Sequence, residues 1–163
     1  MNLALPTQTR SAIQGLAQAM AAGHSLDTLR CQFTLPHWDI LAGYLQPFLL
    51  GTGQVLITRG APDRTLYFVE SGTLSVHYED EKARIRMTMV GAGTVVGEGA
   101  FFSHQPRSAT VQAGSDCKLW CLTSIRFLEL INRHAPLALE LTLGMGAVMA
   151  KRLYSRPKRV AVT

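Results

Sequence analysis

The chain has 163 residues, 47% hydrophobic and 17% charged, with a formal net charge of +5. That composition excludes a disordered segment and suits one domain with an appendage, long enough to bury a core without staples. No apolar run approaches the ~18 residues that span a bilayer, and Met1-Asn2-Leu3-Ala4-Leu5-Pro6 lacks the features of a secretion signal, so a cytoplasmic protein with no membrane partner is expected.

In chain order, Thr9 to Ala22 reads as a helix, with Ile13, Leu16, Ala17 and Met20 at helical spacing and Gly23 as its stop. Ser25-Leu26-Asp27-Thr28-Leu29 opens another turn. Pro36 suits a first helical turn, and Trp38, Leu41 and Leu45 continue an apolar stripe until Pro47 ends it. Residues 1–35 thus form a helical extension of a larger body over 36–156, followed by a basic tail, 157–163.

From about Leu50 the period shortens. Residues 54–58, 65–70, 73–78, 84–90 and 117–122 are short segments rich in β-branched and aromatic residues, punctuated by Gly53, Gly60, Gly72, Gly91, Gly93 and Gly97, where tight turns need φ > 0. Such a series implies a sandwich or a closed roll. Ser71-Gly72 and Asp80-Glu81-Lys82 are hairpin candidates. After Thr123 helical spacing returns: Ser124 suits the cap of a helix carrying Phe127, Leu128 and Ile131. Pro136 starts a longer helix with Leu137, Leu141, Met145, Val148, Met149 and Arg152, interrupted by Gly144 and Gly146 and ended by Pro157.

The informative stretch is Gly97-Glu98-Gly99-Ala100-Phe101-Phe102-Ser103-His104-Gln105-Pro106-Arg107-Ser108-Ala109, with a strand after it. A carboxylate accepts from a sugar hydroxyl, a guanidinium grips a phosphate, and glycines let backbone N–H groups approach an anion. These parts make a ribose-phosphate site with no metal and no nucleophile. Cys31, Cys117 and Cys121 are too few and too odd in number for a disulfide framework, and Cys117 and Cys121, four apart in a strand, line one face of a core. His24, His37, His77 and His134 have no partner arrangement for acid–base work, and His104 reads as a surface residue. No enzyme, cofactor or metal is therefore expected. Lys151, Arg152, Arg156, Lys158 and Arg159 read as a solvated helix terminus, and without interleaved aromatics they argue against nucleic-acid binding.

The order of parts in that stretch resembles the phosphate-binding cassette of cyclic-nucleotide-binding domains, the sensory modules of catabolite-activator-type regulators, cyclic-nucleotide-dependent kinases and gated channels. Gly53-x-Val55-Leu56-Ile57-x-x-Gly60, Leu66-Tyr67-Phe68-Val69-x-x-Gly72-x-Leu74-x-Val76 and Gly93-x-x-x-Gly97-Glu98 also look like the family's β-roll, and the resemblance covers about residues 37–155. It implies an α+β fold: an antiparallel double-stranded β-helix, a jelly-roll-like β-roll, flanked by N-terminal and C-terminal helices. It further implies that Glu98 accepts the ribose 2′-hydroxyl and Arg107 pairs with the cyclic phosphate, while backbone N–H groups of Gly99 and Ala100, following Gly97, complete the anion pocket. Ser108 suits either cAMP or cGMP, and Ala109 leaves room for the ligand.

The final helix resembles the lid that relays occupancy to a protein partner and forms the dimer seam of the bacterial regulators. Fewer than thirty residues follow Pro136, so a sensory module without a DNA-binding domain is expected. Three alternatives stay open. The same fold takes cyclic di-GMP in some bacterial members, with Arg59, Arg64, Arg84 and Arg86 as candidates for its second phosphate. A ligand-free interaction scaffold is the second, and nucleic-acid contact through the basic tail is the third.

Overall fold

A computed structural model describes residues 12–160, with side chains through Ser155. Its elements are α1 (Gln14–Ala22), α2 (Leu35–Leu41), β1 (Gln46–Leu50), β2 (Val55–Ile57), β3 (Leu66–Ser71), β4 (Leu74–Glu79), β5 (Ile85–Val90), β6 (Val95–Val96), α3 (Glu98–Ser103), β7 (Ala109–Ala113), β8 (Cys117–Leu122), α4 (Ser124–Arg133) and α5 (Ala135–Val160). The strands form two four-stranded antiparallel sheets, ordered β1-β8-β3-β6 and β2-β7-β4-β5. This is the expected β-roll flanked by helices. Residues 9–11 of the expected first helix lie outside the described residues.

Burial explains the layering. Val69, Leu119, Val96 and Cys117 of the first sheet meet Ile57, Leu74, Val111 and Ala113 of the second in one core. Leu66, Phe68, Trp120 and Leu122, on the first sheet's other face, pack against Leu16 and Met20 of α1, Trp38 of α2, Leu130 of α4 and Leu141 and Met145 of α5. Strands β3 and β8 of that sheet are covered on both faces, which is why β3 reads as a near-continuous apolar run. Trp120 anchors the helical side and donates its indole N–H to Glu70 at 2.6 Å. A buried Trp N–H needs such a partner.

Several local expectations are corrected. The α2 helix stops at Leu41, and Pro47 lies inside a strand, β1, that the sequence reading missed. The strand sits at the edge of its sheet, where the missing N–H of a proline is tolerated. Ser71-Gly72 is no hairpin, because β3 and β4 belong to different sheets. Gly72, at φ +88°, carries the chain between them, and a Cβ there would lie 2.4 Å from the Asp116 carbonyl oxygen. Asp80-Glu81-Lys82 does turn β4 into β5, with the Asp80 carboxylate accepting from the Lys82 and Arg84 N–H groups.

The cap of α4 is Thr123, whose hydroxyl accepts from the Arg126 N–H, and Leu128 and Ile131 face outward while Leu130 is buried. The α5 helix runs unbroken through Gly144, Gly146 and Pro157. A proline so near a helix end forfeits only one hydrogen bond of the last turns.

The segment between α1 and α2 lies along α5. The Leu29 N–H donates to the Gly93 carbonyl at 2.8 Å, and the Gln32 N–H donates to Glu140 of α5 at 2.8 Å. Between them Cys31, Arg30 and Leu29 sit so close to Gly144 that an added Cβ would lie 2.5 Å from the Cys31 sulfur. Gly144 therefore admits this strap against the helix. Burial there pushes the Cys31 thiol up to about 12.

Candidate functional site

One cavity of about 590 Å³ is bounded by the second sheet, the α3 cassette, the strap and the C-terminal part of α5. Ile57, Val76, Tyr78, Val111 and Ala109 reach it from β2, β4 and β7. Alternating strand residues thus give an apolar floor. The opposite side is Met149, Arg152, Leu153 and Ser155 of α5. All seven residues expected to bind ligand, Gly97, Glu98, Gly99, Ala100, Arg107, Ser108 and Ala109, line this cavity.

The cassette is built from a turn that only glycine fits. Gly97 has φ +89°, and a Cβ on it would lie 2.6 Å from Arg107 Nη1 and 2.8 Å from the Thr65 carbonyl oxygen. The turn launches α3, whose Ala100 and Phe101 are buried. Phe101 and Phe102 stack edge to face at 5.2 Å, and Phe101 also meets Phe127 of α4. Neither phenylalanine lines the cavity.

Arg107 is 3% exposed. Its Nε donates to Asp63 Oδ1 at 3.3 Å, its Nη1 to the Gly97 carbonyl at 3.1 Å, and its Nη2 to the Thr65 carbonyl at 2.7 Å and to Asp63 Oδ2. These bonds use four of its five N–H groups. They also hold the Asp63 carboxyl below the usual carboxylate value.

Glu98 is tied elsewhere. Its Oε1 accepts from Arg152 Nη1 at 2.6 Å, while Arg152 Nε reaches Asp27 Oδ2 at 2.9 Å and Arg152 Nη2 reaches the Val95 carbonyl at 2.8 Å. Burial works against the Asp27 carboxylate, but bonds from Ser25 and the Arg152 charge outweigh it and lower its pKa. Burial also opposes the Arg152 charge, and Glu98 and Asp27 overcome it, so its pKa is raised.

Glu98 and Arg107, which the sequence places in one cassette, both line this cavity, and Asp63, Asp27 and Arg152 join them without having been expected there. The sequence puts Arg152 in a solvated basic run, yet in the fold it continues the buried positions Leu141, Met145 and Val148 along one face of α5. A charge in register with an apolar stripe was the available signal. Arg59, Arg84 and Arg86 pair with Glu79 and Asp80, and neither they nor Arg64 line the cavity. Among the described residues no His, Cys, Asp and Glu cluster is placed to hold a metal ion. No described helix is long and apolar enough to cross a membrane.

Known proteins share the fold and the family. The model of the cyclic nucleotide-binding domain family matches residues 49–134. The chain is 36% identical over 81 residues to the cAMP-dependent protein kinase type II regulatory subunit of Drosophila melanogaster, spanning 49% of this chain and 22% of that protein. It is 30% identical over 107 residues to the cAMP-activated global transcriptional regulator CRP of Escherichia coli, spanning 64% of this chain and 49% of that protein. Among solved structures, a cyclic nucleotide-binding domain from Methylobacillus flagellatus superposes with TM-score 0.81 at 18% identity, covering 93% of this chain and 84% of that one. The chain belongs to the cyclic nucleotide-binding domain family, a regulatory and sensory fold. It spans half or less of the curated relatives named here.

Proposed function

We propose that the chain is a cyclic-nucleotide sensor that binds cAMP or cGMP in this cavity and reports occupancy through α5 to a protein partner. One observation carries the reading: Glu98 and Arg107 of the cassette and Met149, Arg152, Leu153 and Ser155 of α5 line the same space of about 590 Å³. A ligand filling it touches sensor and helix together. Such a ligand shifts the helix only by its differential affinity for the two arrangements. The volume suits a small molecule. Four of the five N–H groups of Arg107 are engaged, so a cyclic phosphate takes the fifth together with N–H groups of Gly99 and Ala100. Relatives include both cAMP- and cGMP-dependent kinases, and Ser108 at the cavity wall suits either purine.

The output surface is an exposed stripe of α5 whose last two positions, Ala150 and Leu153, also border the cavity. Leu139, Leu143 and Leu153 are 59%, 62% and 63% exposed, and with Gly146 and Ala150 they repeat at intervals of four and three residues. That spacing is a two-helix seam, so a second copy or a partner helix is the receiver. The four arginines lie off the cavity wall, which favours a mononucleotide over cyclic di-GMP.

A melting screen tests the proposal. At 100 times its Kd a ligand stabilises the fold by about 2.7 kcal/mol, which is a rise of about 5–10 °C for a domain of this size. The expected result is a rise with cAMP or cGMP and a smaller one with cyclic di-GMP. A flat response to all three overturns the sensor reading in favour of a scaffold. Sedimentation of the same samples then shows whether the seam pairs two copies.

A further inference from the structure

We propose that the strap between α1 and α2 is a working wall of the ligand site, and that its Asp27 is a positioning residue that aims Glu98 through Arg152. The proposal rests on the sensor reading given above and names a component of the site outside the cassette. Ser25, Leu26 and Asp27 line the same cavity as Glu98 and Arg107. A turn closed by the Thr28 N–H on the Ser25 carbonyl at 3.1 Å presents Asp27, and the Ser25 hydroxyl bonds its Oδ1. Its Oδ2 accepts from Nε of Arg152 at 2.9 Å and lies 2.9 Å from Nη2, which donates to the Val95 carbonyl. The third guanidinium nitrogen then points at Glu98 Oε1, 2.6 Å away.

The stoichiometry of the carboxylate decides what a ligand meets. Arg152 occupies Oε1 of Glu98, and among the described residues no hydrogen bond is made to Oε2. A ribose hydroxyl is a neutral donor and does not displace a guanidinium from a partly buried carboxylate, since charge-assisted bonds are roughly twice as strong. The hydroxyl therefore joins the cluster at Oε2. Arg152 fixes the rotamer of Glu98, and Asp27 fixes Arg152. The side chains of Arg152, Asp27 and Glu98 are 23%, 20% and 17% exposed, so the chain of contacts is only weakly screened by solvent. The strap itself is pinned independently through Leu29, Cys31 and Gln32, so it brings Asp27 to this point whether or not the ion pair forms.

The experiment measures Kd by calorimetry for cAMP and 2′-deoxy-cAMP, and for cGMP and 2′-deoxy-cGMP, in the wild type and in Asp27→Asn, Arg152→Gln, Asp27→Glu and the double variant Asp27→Asn/Arg152→Gln. A hydrogen bond to a charged acceptor corresponds to a preference of about ten- to a hundredfold for the ribonucleotide. Asp27→Asn and Arg152→Gln should each reduce that preference to within about threefold, Asp27→Glu should restore most of it, and the double variant should lose no more than Arg152→Gln alone. Should Asp27→Asn fail to fold, Ser25→Ala loosens the same carboxylate without removing charge and should lower the ratio by a smaller factor. If Asp27→Asn weakens ribo- and deoxynucleotide equally, or keeps the wild-type ratio, the positioning role is overturned while the sensor reading stands. If the wild type binds neither cAMP nor cGMP, both fall.

Discussion

Two guanidiniums border the same cavity, each tied to an aspartate and to at least one backbone carbonyl, yet they are held in different ways. Arg107 takes its partners from Asp63, Thr65 and Gly97, all within the β-roll and its loops. Arg152 takes Asp27 from the strap, Glu98 from α3 and the carbonyl of Val95, and itself rides on α5. The first wall is part of the scaffold and moves only if the sheets do. The second is an assembly of separate segments meeting at one side chain, and such an assembly can come apart without unfolding the roll. The proposed function draws on both: a fixed grip for the ligand and a releasable one for the signal.

The sharpest way to break this contrast is Gly97→Ala. It combines a left-handed backbone with overlap of the Thr65 carbonyl and the Arg107 guanidinium, and is expected to cost about 2–3 kcal/mol of stability in urea titration and most of the ligand affinity. A cost under about 1 kcal/mol would show that the Arg107 wall yields easily. Next in size is a pair on α5. Alanine gains about 1 kcal/mol over glycine inside a helix, so Gly146→Ala, with open space around its Cβ, should stabilise by about that amount. Gly144→Ala meets Cys31 and the Arg30 carbonyl and should instead destabilise by about 1–2 kcal/mol. Equal gains at both positions would mean that the strap does not bear on the helix.

The smallest expected effect is at low pH. Asp27 and Asp63 both have pKa values lowered below 3.8 in the folded protein, so their contribution is complete above that value and is lost as pH falls through the depressed ones. Thermal melts below about pH 4 should therefore fall less steeply in Asp27→Asn and in Asp63→Asn than in the wild type. An unchanged acid limb in one variant would show that its arginine is not held by charge.

The difference between the walls also explains what the sequence disclosed. The glycine rhythm and the β-branched and aromatic segments of residues 53–122 narrowed the fold to a sandwich or a closed roll, the family resemblance selected the roll, and Glu98 and Arg107 stand close together in one cassette. Local readings failed where tertiary context overrode propensity. Pro47 reads as a helix stop until an edge strand makes its missing N–H harmless, and Ser71-Gly72 reads as a hairpin until the two sheets separate its strands. The Arg152 cluster was hidden for another reason. Asp27 is 125 residues from Arg152, and Glu98 is 54 away, so no window contains the set. Only the helical register of Arg152 with Leu141, Met145 and Val148 hinted at it.

Ile57, Val96 and Val111 serve twice, closing the core between the sheets and forming part of the cavity surface. Carving a roomier chamber by trimming them would loosen the barrel, so its lower boundary is not adjustable. Latitude for accommodating a bulkier guest lies on the helical rim, at Met149 and Leu153, where side chains can be exchanged without touching the inter-sheet packing.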